Sequence, residues 1–194
     1  MSGNVKSSKV FYKLNFLFCL FLLTIFNDSY ANQKRDIIEK LKNTESLEFK
    51  FTQKTNELYE KGQCILLFPS KLKCVYKDQS RKILIINKNS LSIEQKRYRK
   101  KYIYNISNSP FVDILDKYKL IHLIEEGEIN SKNKFLEILS LNRAGRPITI
   151  MHDPKTLNLM GWKIKDNVGN DIIFLIKILT ENKDYNLDLF RITP

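Results

Sequence analysis

The spacing of apolar residues along this chain changes period several times, and each change marks an element. From Asp36 to Lys42, Ile37, Ile38 and Leu41 share one helical face. Asp36 and Glu39 sit toward the positive N-terminal end, and no Gly or Pro interrupts, so the spacing predicts a helix. At Leu47 the period drops to two. Leu47, Phe49 and Phe51 alternate with Glu48, Lys50 and Thr52, the mark of a half-buried strand. Further strands are predicted over 62–68, through Leu72, Cys74 and Tyr76, over 83–86, from Leu91 to Ile93, and over 102–106. Turn residues at Pro69-Ser70 and Asn87-Lys88-Asn89 separate them.

A second helix breaks the series. Ser109 is a good N-cap, Pro110 suits the first helical position, and Asp113 lies in the first turn. Phe111, Ile114, Leu115 and Tyr118 form its apolar face. Strands then resume over 120–124, 135–141, 148–152, 157–165 and 172–179. Turns are marked by Glu126-Gly127, Asn142 to Gly145, Asp153-Pro154 and Asp166 to Gly169. Many short strands at hairpin spacing predict one antiparallel sheet, with the helices covering one side of it. Two strands, 83–86 and 172–179, are apolar on both faces, whereas a sheet with one wet face alternates. Either their outer side is covered locally or it is a contact surface.

Residues 1–31 read as a secretory signal peptide with its cut after Ala31. Lys6, Lys9 and Lys13 supply the positive end, and residues 14–26 form an apolar run interrupted only by Asn15 and Thr24. Ser29-Tyr30-Ala31 fits a small-x-small cleavage site. The run is shorter than the ~20 residues that span a bilayer; an uncleaved N-terminal anchor is the alternative. Leu17-Phe18 before Cys19 do not suit lipid modification of that cysteine. Residues 32–194 have no Pro-, Gly- or Ser-rich linker and no repeat, so they form one domain, large enough to bury a core.

The 33 basic and 21 acidic residues, less the three lysines and one aspartate of the signal, leave a net charge of about +10. That charge either draws the protein to anionic membranes or acidic partners, or reflects a general abundance of Lys, Asn and Ile. The densest basic run, Lys96-Arg97-Tyr98-Arg99-Lys100-Lys101, lies between two strands and reads as a solvated hairpin tip or a headgroup contact. Cys64 and Cys74 flank the turn at Pro69-Ser70 at nearly equal distances, so they face each other across a hairpin. An exported protein can bridge them, and two buried free thiols fit equally well. His122 and His152 neither neighbour a cysteine nor pair at metal spacing. There is no phosphate-binding Gly loop and no nucleophile–base set, so metal, cofactor, nucleic acid and catalysis are all unsupported.

Several motifs in order resemble the lipoprotein carrier family LolA, from about Ile37 to Pro194. Leu47 to Gln53 is similar to its strand ending Phe-Thr-Gln, and Gly62 through Pro69 to Tyr76 to its Gly…Arg-Pro…aromatic hairpin. Residues 83–93 are similar to its Ile-Leu…Asp-Gly…Leu hairpin, and Ser109-Pro110-Phe111 to Leu115 to its Pro-Leu/Phe helix. Leu157 to Gly169, with Trp162 and Asp166, is similar to a late strand and turn, and Leu189-Phe190-Arg191-Ile192 to the closing Phe strand. The resemblance implies an incomplete antiparallel β-barrel, a half barrel with a helical lid. It implies a monomeric periplasmic chaperone without cofactor or enzymatic activity. Such a chaperone takes acylated lipoproteins from an inner-membrane ABC transporter (LolCDE-like) and delivers them to an outer-membrane receptor (LolB-like).

Two positions depart from the family pattern. Phe68 stands where the family has an Arg linking barrel to lid, so an apolar contact replaces a polar latch. Asn87-Lys88 replaces Asp-Gly, and Asn tolerates positive φ. If Phe68 points inward as that Arg does, period two turns Leu66, Cys64 and Gly62 inward as well. Leu72, Cys74 and Tyr76 join them across the hairpin, with Phe49 and Phe51 from the strand before. Pro110, Phe111, Ile114 and Leu115 form the lid. By pattern alone the same residues fit the filled core of an ordinary barrel; the resemblance makes them the wall of an acyl-chain cavity. The other reading is a basic periplasmic module that docks on anionic lipid or polymer, or a relative of the same fold that carries another lipid.

Overall fold

The structure, a computed structural model, describes residues 30–132, 134–166 and 168–193. The predicted signal peptide therefore lies outside the described residues, except for Tyr30 and Ala31. The chain divides into two compact units, 1–36 and 37–194. Residues 30–42 are helical (α1). No helix among the described residues is long and apolar enough to cross a membrane.

In the second unit, alternation from Leu47 onward generates a meander of six strands. These are β1 (Ser46–Thr55), β2 (Leu58–Leu67), β3 (Lys71–Tyr76), β4 (Lys82–Asn87), β5 (Ser90–Gln95) and β6 (Lys100–Asn105). Two helices follow, α2 (Pro110–Leu115) and α3 (Lys117–Glu126). A second meander contains β7 (Glu128–Lys132), β8 (Phe135–Leu141), β9 (Pro147–His152), β10 (Leu159–Lys165) and β11 (Asp171–Glu181). The last strand returns to pair antiparallel with the first, Phe51 opposite Ile176. One antiparallel sheet results, ordered β6-β5-β4-β3-β2-β1-β11-β10-β9-β8-β7. It is open: β6 and β7 are its two edges, and α2 and α3 are the connection between them. This is the expected half barrel, mainly β, with helices along its inner face.

The core lies between that inner face and the helices. Leu47, Phe49 and Phe51 of β1, Cys64 and Leu66 of β2, and Trp162 and Ile164 of β10 are buried there with Ile114, Leu115 and Leu120 of the helices. Ile37 joins them, with Leu41 packed alongside.

Three sequence-based expectations are corrected. Residues 120–124 are not a strand but part of α3. Leu120, Ile121, Leu123 and Ile124 are its buried positions, and Asp116 caps it by accepting hydrogen bonds from the backbone N–H groups of Tyr118 and Lys119. The closing segment at 189–192 is not a strand either. Its first two residues belong to a 3₁₀ turn, Leu187–Phe190, that lies against β3 and β4 on the side of Asn87. Phe190 is fully buried, its carbonyl accepts from Asn87 Nδ2 at 3.3 Å, and Tyr185 Oη donates to Glu48 at 2.9 Å. This segment is the local cover for the doubly apolar strand β4. Among the described residues nothing covers β11 at Leu175 and Leu179, which are exposed. At the β4–β5 turn the positive φ of 56° falls on Lys88, while Asn87 ends the strand.

Gly161 is required by backbone geometry. Its φ is 142°, the β9–β10 register shifts beside it, and a Cβ there would lie 2.0 Å from the carbonyl oxygen of Phe174. The irregularity lies next to Trp162, which stacks on Phe174 at 4.7 Å.

Gly161→Ala is expected to cost about 3 kcal/mol, combining left-handed strain with a backbone clash. A lower urea midpoint at unchanged slope would show it. His152, at the end of β9, gives a second test. Its Nδ1 lies 3.1 Å from the Leu157 carbonyl, while Nε2 is buried without a partner. Burial lowers its pKa from 6.5 to about 4, so the folded state favours the neutral ring. The resulting stability is complete above pH 6.5 and fades as pH falls toward 4. The loss is on the order of 3 kcal/mol by pH 4. Denaturation midpoints across that range should fall in wild type and stay flatter in His152→Gln.

Candidate functional site

The inner face is not filled along its whole length. A hollow of about 300 Å³ remains between β3–β5 on one side and β10–β11 on the other. Its first wall is Leu72, Cys74, Leu84, Ile86, Leu91 and Ile93; its second is Ile164, Ile172 and Phe174. Ile106, Ser109, Pro110 and Phe111 roof it. Cross-strand register explains the first wall. Leu72 faces Ile86 and Cys74 faces Leu84, and these in turn face Leu91 and Ile93, so two inward rows cross three strands.

Aromatic rings close one side. Phe174 stacks between Trp162 at 4.7 Å and Phe51 at 4.8 Å, and Phe51 meets Tyr76 edge-on at 4.9 Å. Phe111 reaches down from the roof to Trp162 at 5.7 Å. Polar groups gather at the mouth: Gln53, Glu60, Lys82 and Asp166. Lys82 forms an ion pair with Glu60, both half-buried, and its ammonium lies 3.8 Å from the centre of the Tyr76 ring. Tyr76 Oη donates to Gln53 Oε1 at 3.2 Å. Burial, with Glu60 and Asp78 nearby, pushes the Tyr76 hydroxyl well above its ordinary value, so it stays a neutral donor. The hollow is thus apolar within and polar at its rim, the layout that suits an amphipathic ligand.

The roof is held by its own caps. Ser109 Oγ accepts from the Phe111 N–H at 3.3 Å, and Pro110 occupies the first turn. At the other end the Ser70 N–H donates to the Leu115 carbonyl at 2.8 Å. Lys117 pairs with Glu45 at 2.9 Å and lies 5.7 Å over the Phe68 ring. Phe68 is buried. The junction between sheet and lid is therefore tied by a backbone hydrogen bond and by a cation above an aromatic ring.

The predicted site residues divide into two groups. Leu72, Cys74, Tyr76, Pro110 and Phe111 line the hollow. Phe49, Phe51, Leu66, Phe68, Ile114 and Leu115 are packed in the core that supports it. Cys64 and Cys74 face each other across β2 and β3 and are joined by a disulfide. Sequence reasoning missed Leu84, Ile86, Leu91, Ile93 and Phe174. The signal for the first four was present, because the inward parity of Leu72 and Cys74 carries across each hairpin once its turn fixes the register. Among the described residues no cluster of His, Cys, Asp or Glu is arranged to hold a metal ion.

Residues 42–193 match the family model described as outer membrane lipoprotein carrier protein LolA. The chain belongs to the LolA family. No curated protein sequence matches it significantly. Its similarity to solved structures is distant. An uncharacterized conserved protein from Thermus thermophilus is 10% identical, with 84% of this chain and 94% of that one covered and a TM-score of 0.49. LprF from Mycobacterium bovis is 11% identical, with 82% and 96% covered and a score of 0.48. A LolA superfamily protein from Nitrosomonas europaea is 7% identical, with 81% and 96% covered and a score of 0.41. Membership in the LolA family rests on the family match.

The disulfide ties the β2–β3 hairpin beneath the first wall. Replacing both cysteines by alanine should lower stability by about 2 kcal/mol, given the short loop the bridge closes. Guanidinium unfolding of the variant beside wild type measures this. Reduction of wild type should reproduce most of the loss.

Proposed function

We propose that this protein is a periplasmic carrier that shields the acyl chains of lipoproteins in the hollow under α2. On this reading it is exported by a signal peptide cut after Ala31. It accepts lipoproteins from an inner-membrane ATP-driven transporter and releases them to an outer-membrane receptor. Its work is binding and release, with no bond made or broken. The observation that carries the reading is the half-open hollow, apolar on both walls and polar at the mouth. Re-burying hydrocarbon recovers about 0.8 kcal/mol per CH₂, so even a short length of tail gains enough to be held. The volume suits part of one chain. A larger load requires α2 to move outward, which would break the Ser70–Leu115 hydrogen bond. Leu72, Cys74 and Tyr76 serve as wall, and Pro110 and Phe111 as the seal.

Native mass spectrometry of the protein recovered from an export host tests this. An acylated lipoprotein or a long acyl probe should be retained. Phe111→Asp should weaken retention at least about tenfold by placing a charge against the tail. Because the contact is apolar, retention should survive moderate salt. Absence of any acylated ligand, under conditions that keep a control carrier loaded, would remove the proposal.

A further inference from the structure

We propose that the β5–β6 hairpin docks this protein on an anionic lipid surface and holds the mouth of the hollow against the headgroups. The hairpin tip and the start of β6 carry Lys96, Arg97, Arg99, Lys100 and Lys101 with no acidic residue among them. All five are exposed, and among the described residues none is in an ion pair; Lys101 donates to the carbonyl and hydroxyl oxygens of Thr193, which leaves Lys96, Arg97, Arg99 and Lys100 as the cations of the tip. Every residue of β6 is exposed, although the strand includes Tyr102, Ile103 and Tyr104. Tyr98 at the tip is 53% exposed, and Tyr102 and Tyr104 are stacked 6.4 Å apart. An exposed strand of this composition is not explained by packing, because β6 is an edge and, among the described residues, no strand pairs with its outer side.

The hairpin also has a fixed place relative to the hollow. Tyr102 faces Ile93 and Tyr104 faces Leu91, so the two tyrosines continue the inward rows of the first wall out to the free edge. Lys82 at the mouth faces Gln95, which faces Lys100, so the basic tip stands beside the opening. The Arg97 N–H donates to the Ser80 carbonyl at 3.1 Å, fixing the tip to the β3–β4 turn. Cations on a turn beside amphipathic rings match a plane of anionic headgroups. The cations take the phosphates, and tyrosine rings favour the boundary between headgroup and chain. A partner strand added to β6 would use the free ladder edge and would leave the charges of the tip without a role.

Vesicle co-sedimentation of the exported protein tests the proposal. Wild type should bind vesicles containing a third phosphatidylglycerol at about 0.1 M salt, bind pure phosphatidylcholine vesicles weakly, and lose the difference near 1 M salt. Lys96→Gln/Arg97→Gln/Lys100→Gln should reduce partitioning about a hundredfold, one factor of roughly four to six per charge. Tyr102→Ser/Tyr104→Ser should reduce it at unchanged salt dependence. Both variants are at exposed positions, and an unchanged melting curve verifies the fold. The charge-reduced triple variant should keep acyl-probe binding, so this result and the carrier reading can fail separately. Equal binding to the two vesicle types, or a triple variant that binds like wild type, would overturn the proposal. So would binding to polyglutamate without binding to the anionic vesicles, which would point to an acidic protein instead.

Discussion

The pairing of β1 with β11 is the constraint on which the inner hollow depends. Each meander alone is a hairpin array with one apolar face and nothing opposite it. The β1–β11 ladder joins them into a single sheet, and only then do Leu72 and Ile86 of one meander share a space with Ile164 and Phe174 of the other. The opposite edges, β6 and β7, remain unpaired. An open sheet bridged by helices keeps a space beneath them.

The energetics divide along the same line. The end of the inner face beneath α2 and α3 is a conventional core, where Phe49, Leu66, Phe68 and Leu115 are buried against one another. That packing holds the sheet curled. The stacked rings of Phe51, Phe174 and Trp162 form the boundary between core and hollow. They are large and rigid, so they resist collapse of the walls into the space beside them. The Cys64–Cys74 bridge has the same place in the fold, linking a core strand to a wall strand. At the lid junction Phe68 lies under Lys117, beside the Ser70–Leu115 hydrogen bond.

The fold was largely legible because strict alternation fixes both the strands and their faces. Parity, anchored on the inward Phe68 that the family resemblance implies, turns Phe49, Phe51, Cys64, Leu66, Leu72 and Tyr76 inward, and all are buried. The site was less legible. Parity separates inside from outside, but it cannot tell a residue that lines a space from one that fills it; that depends on packing across the sheet. The strand 83–86 hid its wall residues, because Ile83 and Ile85 on the outer side are as apolar as Leu84 and Ile86 on the inner. Their cover is Phe190, more than a hundred residues away in sequence. Residues 120–124 read as a strand because a short apolar run has no decisive period. The Asp116 cap, together with buried residues at helical spacing, was the signal that outweighed it.

The long return of the chain has a consequence for how the molecule is made. A polypeptide that is synthesised or threaded across a membrane N-terminus first presents β1 early and β11 nearly last. The central ladder must wait until almost the entire length has emerged. Until then β1 is a bare apolar edge, and the outer side of β4 is bare until Phe190 arrives. Residues 185–190 act as a closing clasp, and a nascent chain that stalls short of them leaves the apolar outer side of β4 open to any holdase or protease nearby.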